Sequence, residues 1–167
     1  MRLNYNKIFD ELYDINRSIT GAGYRKSLKI LSKYIKFKII KFRSGEKVFD
    51  WKVPKEWVIK NAYIKNIKKN KIITSLKENN LSIVSYSTPK NQKSVFYKNI
   101  NKIYSIKSLP KAVPYVTSYY KKDWGFCLSY EKLKRINKND PRLQMYCLQL
   151  LQNQIFSSIR KGFFLSK

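Results

Sequence analysis

LYDINRSITGAGYRKSLKILSKYIKFKII (Leu12–Ile40) is the stretch that decides the class of this chain. Arg17 to Gly23 is a break, with two glycines and two hydroxyl residues between apolar periodic segments. Before it, Tyr5, Ile8, Phe9 and Leu12 fall at i, i+3, i+4 and i+7, the spacing of an amphipathic helix. After it, Tyr24, Leu28, Leu31 and Ile35 repeat on one helical face, and Ser18 or Thr20 is placed to cap that helix. Ile35, Phe37 and Ile39 then alternate with Lys36 and Lys38, a strand with one buried face. Helix, glycine break, helix and strand make an α/β opening.

From Ser44 the pattern changes to short strands and turns. Ser44-Gly45 is a turn, and Pro54 holds Val53 extended. Strands are expected at Val58–Ile64, Lys71–Thr74, Leu81–Tyr86, Val116–Tyr120 and Gly125–Leu128, with a short helix within Val95–Ile106. The expected class is therefore α/β, an α+β fragment. Residues 1–43 open an α/β domain, 44–122 form an inserted β-rich subdomain, and 123–140 return to the α/β domain.

Residues 141–167 differ in composition. The first 140 residues hold 32 basic and all 10 acidic side chains, against four basic and none acidic in the last 27. Met145, Cys147, Leu148, Leu151 and Ile155 suit a helical stripe. The tail reads as foreign to the domain before it, as a frameshift or truncation would produce, and as no integral part of the fold.

The net charge of +26 raises nucleic-acid binding as an alternative function, that of a small basic nucleic-acid-binding protein. Of the 36 basic residues, however, 29 are Lys and 7 Arg, and they are spread along the chain. Lys is the poorer bidentate partner for phosphates and bases, so specific nucleic-acid recognition is not expected. No apolar run reaches the ~20 residues that cross a bilayer, and Asp10, Glu11 and Asp14 interrupt any leader. A cytoplasmic location without membrane contact is the expectation. Histidine is absent, which removes the commonest general base and the commonest metal ligand. Cys127 and Cys147 form neither a CxxC motif nor a disulfide framework.

Several phrases carry a family resemblance. RSITGAG (Arg17–Gly23) and its following helix resemble the opening of zinc-dependent aminopeptidase domains. VFDWKVPKEW (Val48–Trp57), NAYI (Asn61–Ile64), NNLSIVSYS (Asn79–Ser87) and VPYVTSYYKKDWGFCLS (Val113–Ser129) are similar to the inserted subdomain of a narrower family. That family is the bacterial aminopeptidase-like proteins often associated with polysaccharide-biosynthesis loci. The resemblance covers roughly residues 3–137.

It implies a zinc aminopeptidase-like hydrolase whose metal ligands lie beyond the GFCLS phrase. No cofactor is expected in this chain; zinc belongs to full-length relatives, and the chain alone is expected to be inactive. A separately encoded remainder of the peptidase domain is the partner this implies. No residue is assigned a catalytic or metal role. The candidate substrate-cleft or recognition residues are Arg17, Tyr115, Ser118, Tyr119, Tyr120 and Trp124. Tyr and Trp offer apolar faces with polar tips, although the same aromatics also suit a subdomain core. Arg17 suits either a carboxylate ligand or a helix-end group.

Overall fold

The computed structural model describes residues 4–18, 20–152 and 155–160. In chain order it has α1 (Tyr5–Tyr13), α2 (Ala22–Leu31), β1 (Lys38–Arg43), β2 (Lys47–Val48), β3 (Trp51–Lys52), β4 (Glu56–Asn66) and β5 (Lys71–Ser75). There follow β6 (Lys90–Val95), a 3-10 helix (Tyr97–Lys102), β7 (Ile103–Tyr104), β8 (Phe126–Cys127), α3 (Tyr130–Lys134), β9 (Leu143–Gln152) and β10 (Ile155–Arg160). Helices and several small sheets make the α+β class expected from the sequence. No helix among the described residues is long and apolar enough to cross a membrane. The chain divides into two compact units, residues 1–58 with 151–167, and residues 59–150.

The first unit contains the helix–break–helix–strand opening. Asn4 caps α1, its side chain accepting from the Lys7 N–H at 3.1 Å. Neither Ser18 nor Thr20 caps α2 as expected. The N-cap is Gly21, with no side-chain hydrogen bond, and Ser18 Oγ donates instead to the Thr20 carbonyl. Gly21 has φ 143°, a region open to glycine and little else. Gly23 is fixed by contact: a Cβ there would lie 1.8 Å from the Asn16 carbonyl oxygen. β1 pairs antiparallel with β10 from Lys38↔Arg160 to Arg43↔Ile155. The half-buried positions of β1 are Ile40 and Phe42, whereas Ile39 is 39% exposed. The expected strand is present, in the opposite parity.

The second unit carries a four-stranded sheet of order β5-β4-β9-β6. Ala62, Ile64, Phe96, Phe126, Leu128 and Met145 are its most buried apolar residues. The strands expected at Val58–Ile64 and Lys71–Thr74 are present as β4 and β5, and they pair antiparallel with a register shift at Ile64/Lys65. Two expectations fail nearby. Leu81–Tyr86 and Val116–Tyr120 make only isolated bridges, Ile83↔Phe126 and Ser85↔Thr117. Beyond the bridge bonds, such as Ser118 N–H to the Ser85 carbonyl at 2.8 Å, their backbone groups are satisfied by turns, including Ser87 N–H to the Val84 carbonyl at 3.1 Å. The helix expected within Val95–Ile106 shrinks to the 3-10 turn, with Ile103 and Tyr104 pairing in parallel with Phe126 and Cys127.

The largest correction concerns the tail. Residues 143–152 are a strand, and it lies between β4 and β6 rather than outside the fold. Leu143 and Met145 are buried while Gln144 and Tyr146 are half-buried, so the segment runs with period two. A short apolar run satisfies a helical and an extended pattern equally, and here flanking strands select the extended one. The helical stripe reached through Gln154, which lies outside the described residues.

Asp140 fastens the entry to β9. It accepts from Arg142 Nε at 2.6 Å, Arg142 Nη2 at 3.0 Å and Asn66 Nδ2 at 3.2 Å. The Arg142 hydrogen bonds hold its carboxyl below the ordinary carboxylate range. A depressed folded-state value means stability present at neutral pH and lost as pH falls through that value. Asp140→Asn should therefore lower Tm near pH 7, and the gap to the unsubstituted chain should begin to narrow below about pH 4 and close once pH passes the depressed value. Melts across this range check this; a gap that persists in acid would remove the carboxylate from the explanation.

Candidate functional site

The aromatic phrase expected to recognise a ligand lies in the second unit, between the Ser85↔Thr117 bridge and β8. Thr117 to Asp123 form a tight loop. Ser118 Oγ lies 3.3 Å from the carbonyls of both Ser85 and Asp123. Asp123 Oδ1 accepts from Lys102 Nζ at 2.5 Å and from the Trp124 N–H at 2.8 Å. The hydrogen bond from Lys102, with the Trp124 N–H in support, holds the Asp123 carboxyl below its usual range. Gly125 lies where a Cβ would come within 2.7 Å of the Lys102 carbonyl oxygen, so the loop closes against the backbone before β7.

This scaffold displays a row of tyrosines. Tyr86 and Tyr119 meet edge to face at 4.9 Å and 78°, and Tyr119 and Tyr120 at 4.9 Å and 87°. These are favourable arrangements for ring quadrupoles. Tyr86 has φ 62°, unusual for a bulky residue, and it delivers the first ring of the row. Tyr120 is 94% exposed at the far end and Tyr115 is 63% exposed.

The candidate set therefore divides. Tyr119 and Tyr120 are brought together, and Tyr115 is available at the surface. Ser118 is occupied in holding the loop. Trp124 is 7% exposed and packs in the core, the second of the two roles the sequence left open for these aromatics. Arg17, in the first unit, donates from Nη1 to the Leu12 carbonyl at 2.9 Å. That contact adds to the Ile15 N–H already on this carbonyl at the end of α1 and places a cation at the helix C-terminus. Of its two expected roles, it takes the helix-end one.

The first unit holds a cluster that sequence reading did not single out. Glu56 is 2% exposed and forms an ion pair with Arg25 Nη1. A Cβ on Gly21 would lie 3.7 Å from Glu56 Cγ and 3.9 Å from Oε1, so the carboxylate borders the first turn of α2. Negative charge there complements the helix dipole. No local motif marks Glu56, because its partner lies 31 positions earlier in the chain.

Zinc, which the resemblance implies for full-length relatives, does not fit the residues present. A catalytic zinc needs about three protein ligands. The chain has no histidine, and no group of three His, Cys, Asp or Glu converges among the described residues. The carboxylates of Glu56, Glu78, Asp123 and Asp140 are paired with Arg25, Lys132, Lys102 and Arg142. Burial pushes the Cys127 thiol up to about 12, leaving almost no thiolate at neutral pH.

Comparison with known proteins places this geometry. A family described as a domain of unknown function, DUF2172, matches residues 56–146, more than half of the sequence. The chain belongs to the DUF2172 family. The family match runs beyond residue 137, the limit of the resemblance drawn from the sequence, and takes in Leu143 and Met145.

A Clostridium acetobutylicum relative of this DUF2172 chain is provisionally named for polysaccharide biosynthesis and an aminopeptidase-like domain. It is 45% identical over 136 residues, covering 81% of this chain and 31% of the relative. A crystal structure of a provisionally named peptidase from the same organism matches with TM-score 0.80 and 38% identity. That match covers 90% of this chain and 35% of the other. The chain thus spans about a third of the length of the relatives it matches.

Proposed function

We propose that this chain is the non-catalytic portion of a zinc-dependent aminopeptidase-like hydrolase, shaping access to a metal site built by residues outside it. The observation that carries this reading is a pairing of opposites. The chain matches aminopeptidase-like relatives over about a third of their length, and it contains no histidine. Glu11, Glu56, Glu78, Asp123 and Asp140 are held in ion pairs with Lys or Arg. Exposed Tyr115 and Tyr120, with half-buried Tyr119 edge to face against Tyr120, offer flat faces to the side chains of a peptide or similar substrate.

The purified chain, supplied with zinc or cobalt, is expected to show no hydrolysis of aminoacyl chromogenic substrates above a metal-only blank. Turnover that survives repurification and is abolished by chelation would show that the chain is itself a hydrolase.

A further inference from the structure

Helix α1 is short, well delimited and largely uncovered on one side. None of its residues is buried. Ile8, Glu11 and Leu12 are half-buried, and Tyr34 donates to Glu11 at 2.6 Å. Tyr5, Phe9 and Tyr13, at i, i+4 and i+8, are 74%, 63% and 63% exposed. At 100° per residue they span only about 80° of the helix circumference. Phe9 and Tyr13 lie 5.4 Å apart between ring centroids, so the exposed face is continuous. Helices of about this length are marginal in water and draw most of their stability from burying an apolar face. Exposed contiguous apolar surface of this kind marks an interaction site.

We infer that the Tyr5–Phe9–Tyr13 face of α1 docks on the part of an aminopeptidase-like protein that this chain does not match. The inference rests on the functional reading above. Two observations choose the occupant. The relatives carry about two thirds of their length outside the matched region, so a large polypeptide surface accompanies this fold in them. The polar side of α1 carries Asp10, Glu11 and Asp14 against Lys7. Membrane-surface helices carry the opposite bias, with Lys and Arg on the polar face. A second copy of a chain with net charge +26 is opposed by long-range repulsion.

The test co-expresses the tagged full chain with the unmatched two thirds of the C. acetobutylicum relative, so that each can fold in the presence of the other. The unmatched portion should be recovered on the tag with the wild-type chain and with Phe49→Ser, which alters an aromatic outside α1 that is 92% exposed. Recovery should fall at least about tenfold with Phe9→Ser/Tyr13→Ser, the loss expected on removing central aromatic anchors. The double variant alone should keep the melting temperature of the parent, because both side chains are largely exposed.

Equal recovery with the double variant, or no recovery with the wild type, would overturn the assignment. So would a wild-type dimer that this variant converts to monomer, or binding to phosphatidylserine vesicles that it abolishes. Turnover by the isolated chain refutes the functional reading, and is a separate readout from capture.

Discussion

Arg25→Met is expected to lower the stability of the chain by about 3 kcal/mol. The range for breaking a buried ion pair by removing one partner is roughly 3–5 kcal/mol, because a buried charge is left uncompensated. Glu56 meets that condition, with a side chain 3% exposed. The lower end applies because the Arg25 side chain is 31% exposed, so water replaces part of what the guanidinium supplied. The effect concentrates where the fold begins. Glu56 lies beside Gly21, and Thr20 and Trp57 around it are 2% and 4% exposed. Urea unfolding should show a lower midpoint with unchanged slope. Replacing both partners, as Arg25→Met with Glu56→Met, should recover most of the loss, since an apolar pair leaves no stranded charge. A single-variant cost below about 0.5 kcal/mol would mean that Glu56 is solvated like a surface carboxylate.

The same cluster shows what the sequence could and could not disclose. The two N-terminal helices and the strand were legible, because 3.6-residue and two-residue periodicities survive in a chain rich in Lys and Ile. The cap of α2 was not. Ser18 and Thr20 are good capping residues by type, yet the backbone turns at Gly21 and a carboxylate from a distant strand borders the helix start.

Serine misled in the second unit as well. Ser82, Ser85 and Ser87 lie in a stretch that alternates like a half-exposed strand, but all three are buried. Ser87 Oγ donates to the Val84 carbonyl at 2.6 Å and accepts from the Gly125 N–H at 3.3 Å. Ser87 thus serves backbone groups and Ser82 pairs with the Thr74 hydroxyl at 3.1 Å, and periodicity cannot distinguish such buried serines from solvated ones. The aromatic candidates divided for a related reason. Trp124 and Tyr120 look equivalent by residue type, and only the closure of the loop through Lys102, Asp123 and Gly125 sends one inward and the other out.

Met145→Ala should cost about 2–5 kcal/mol, the range for truncating a large side chain in a close-packed core. Met145 is 1% exposed, on a strand flanked by β4 and β6. Its backbone pairs opposite Ser94, and nearby the Phe96 N–H donates to the Leu143 carbonyl at 2.9 Å. The composition break after Asp140 predicts the reverse. A dispensable tail would tolerate the substitution within about 0.5 kcal/mol, as surface positions do. The two accounts therefore differ by well over a kcal/mol on one measurement. Limited proteolysis supplies the second arm. With β9 inside the sheet, cleavage between Pro141 and Tyr146 should need global unfolding and should accelerate in Met145→Ala in step with its lost stability. Prompt cleavage there, leaving a core that still melts cooperatively, would separate the strand from the fold. Protection would instead make residues through 146 an integral part of the sheet of the DUF2172 unit.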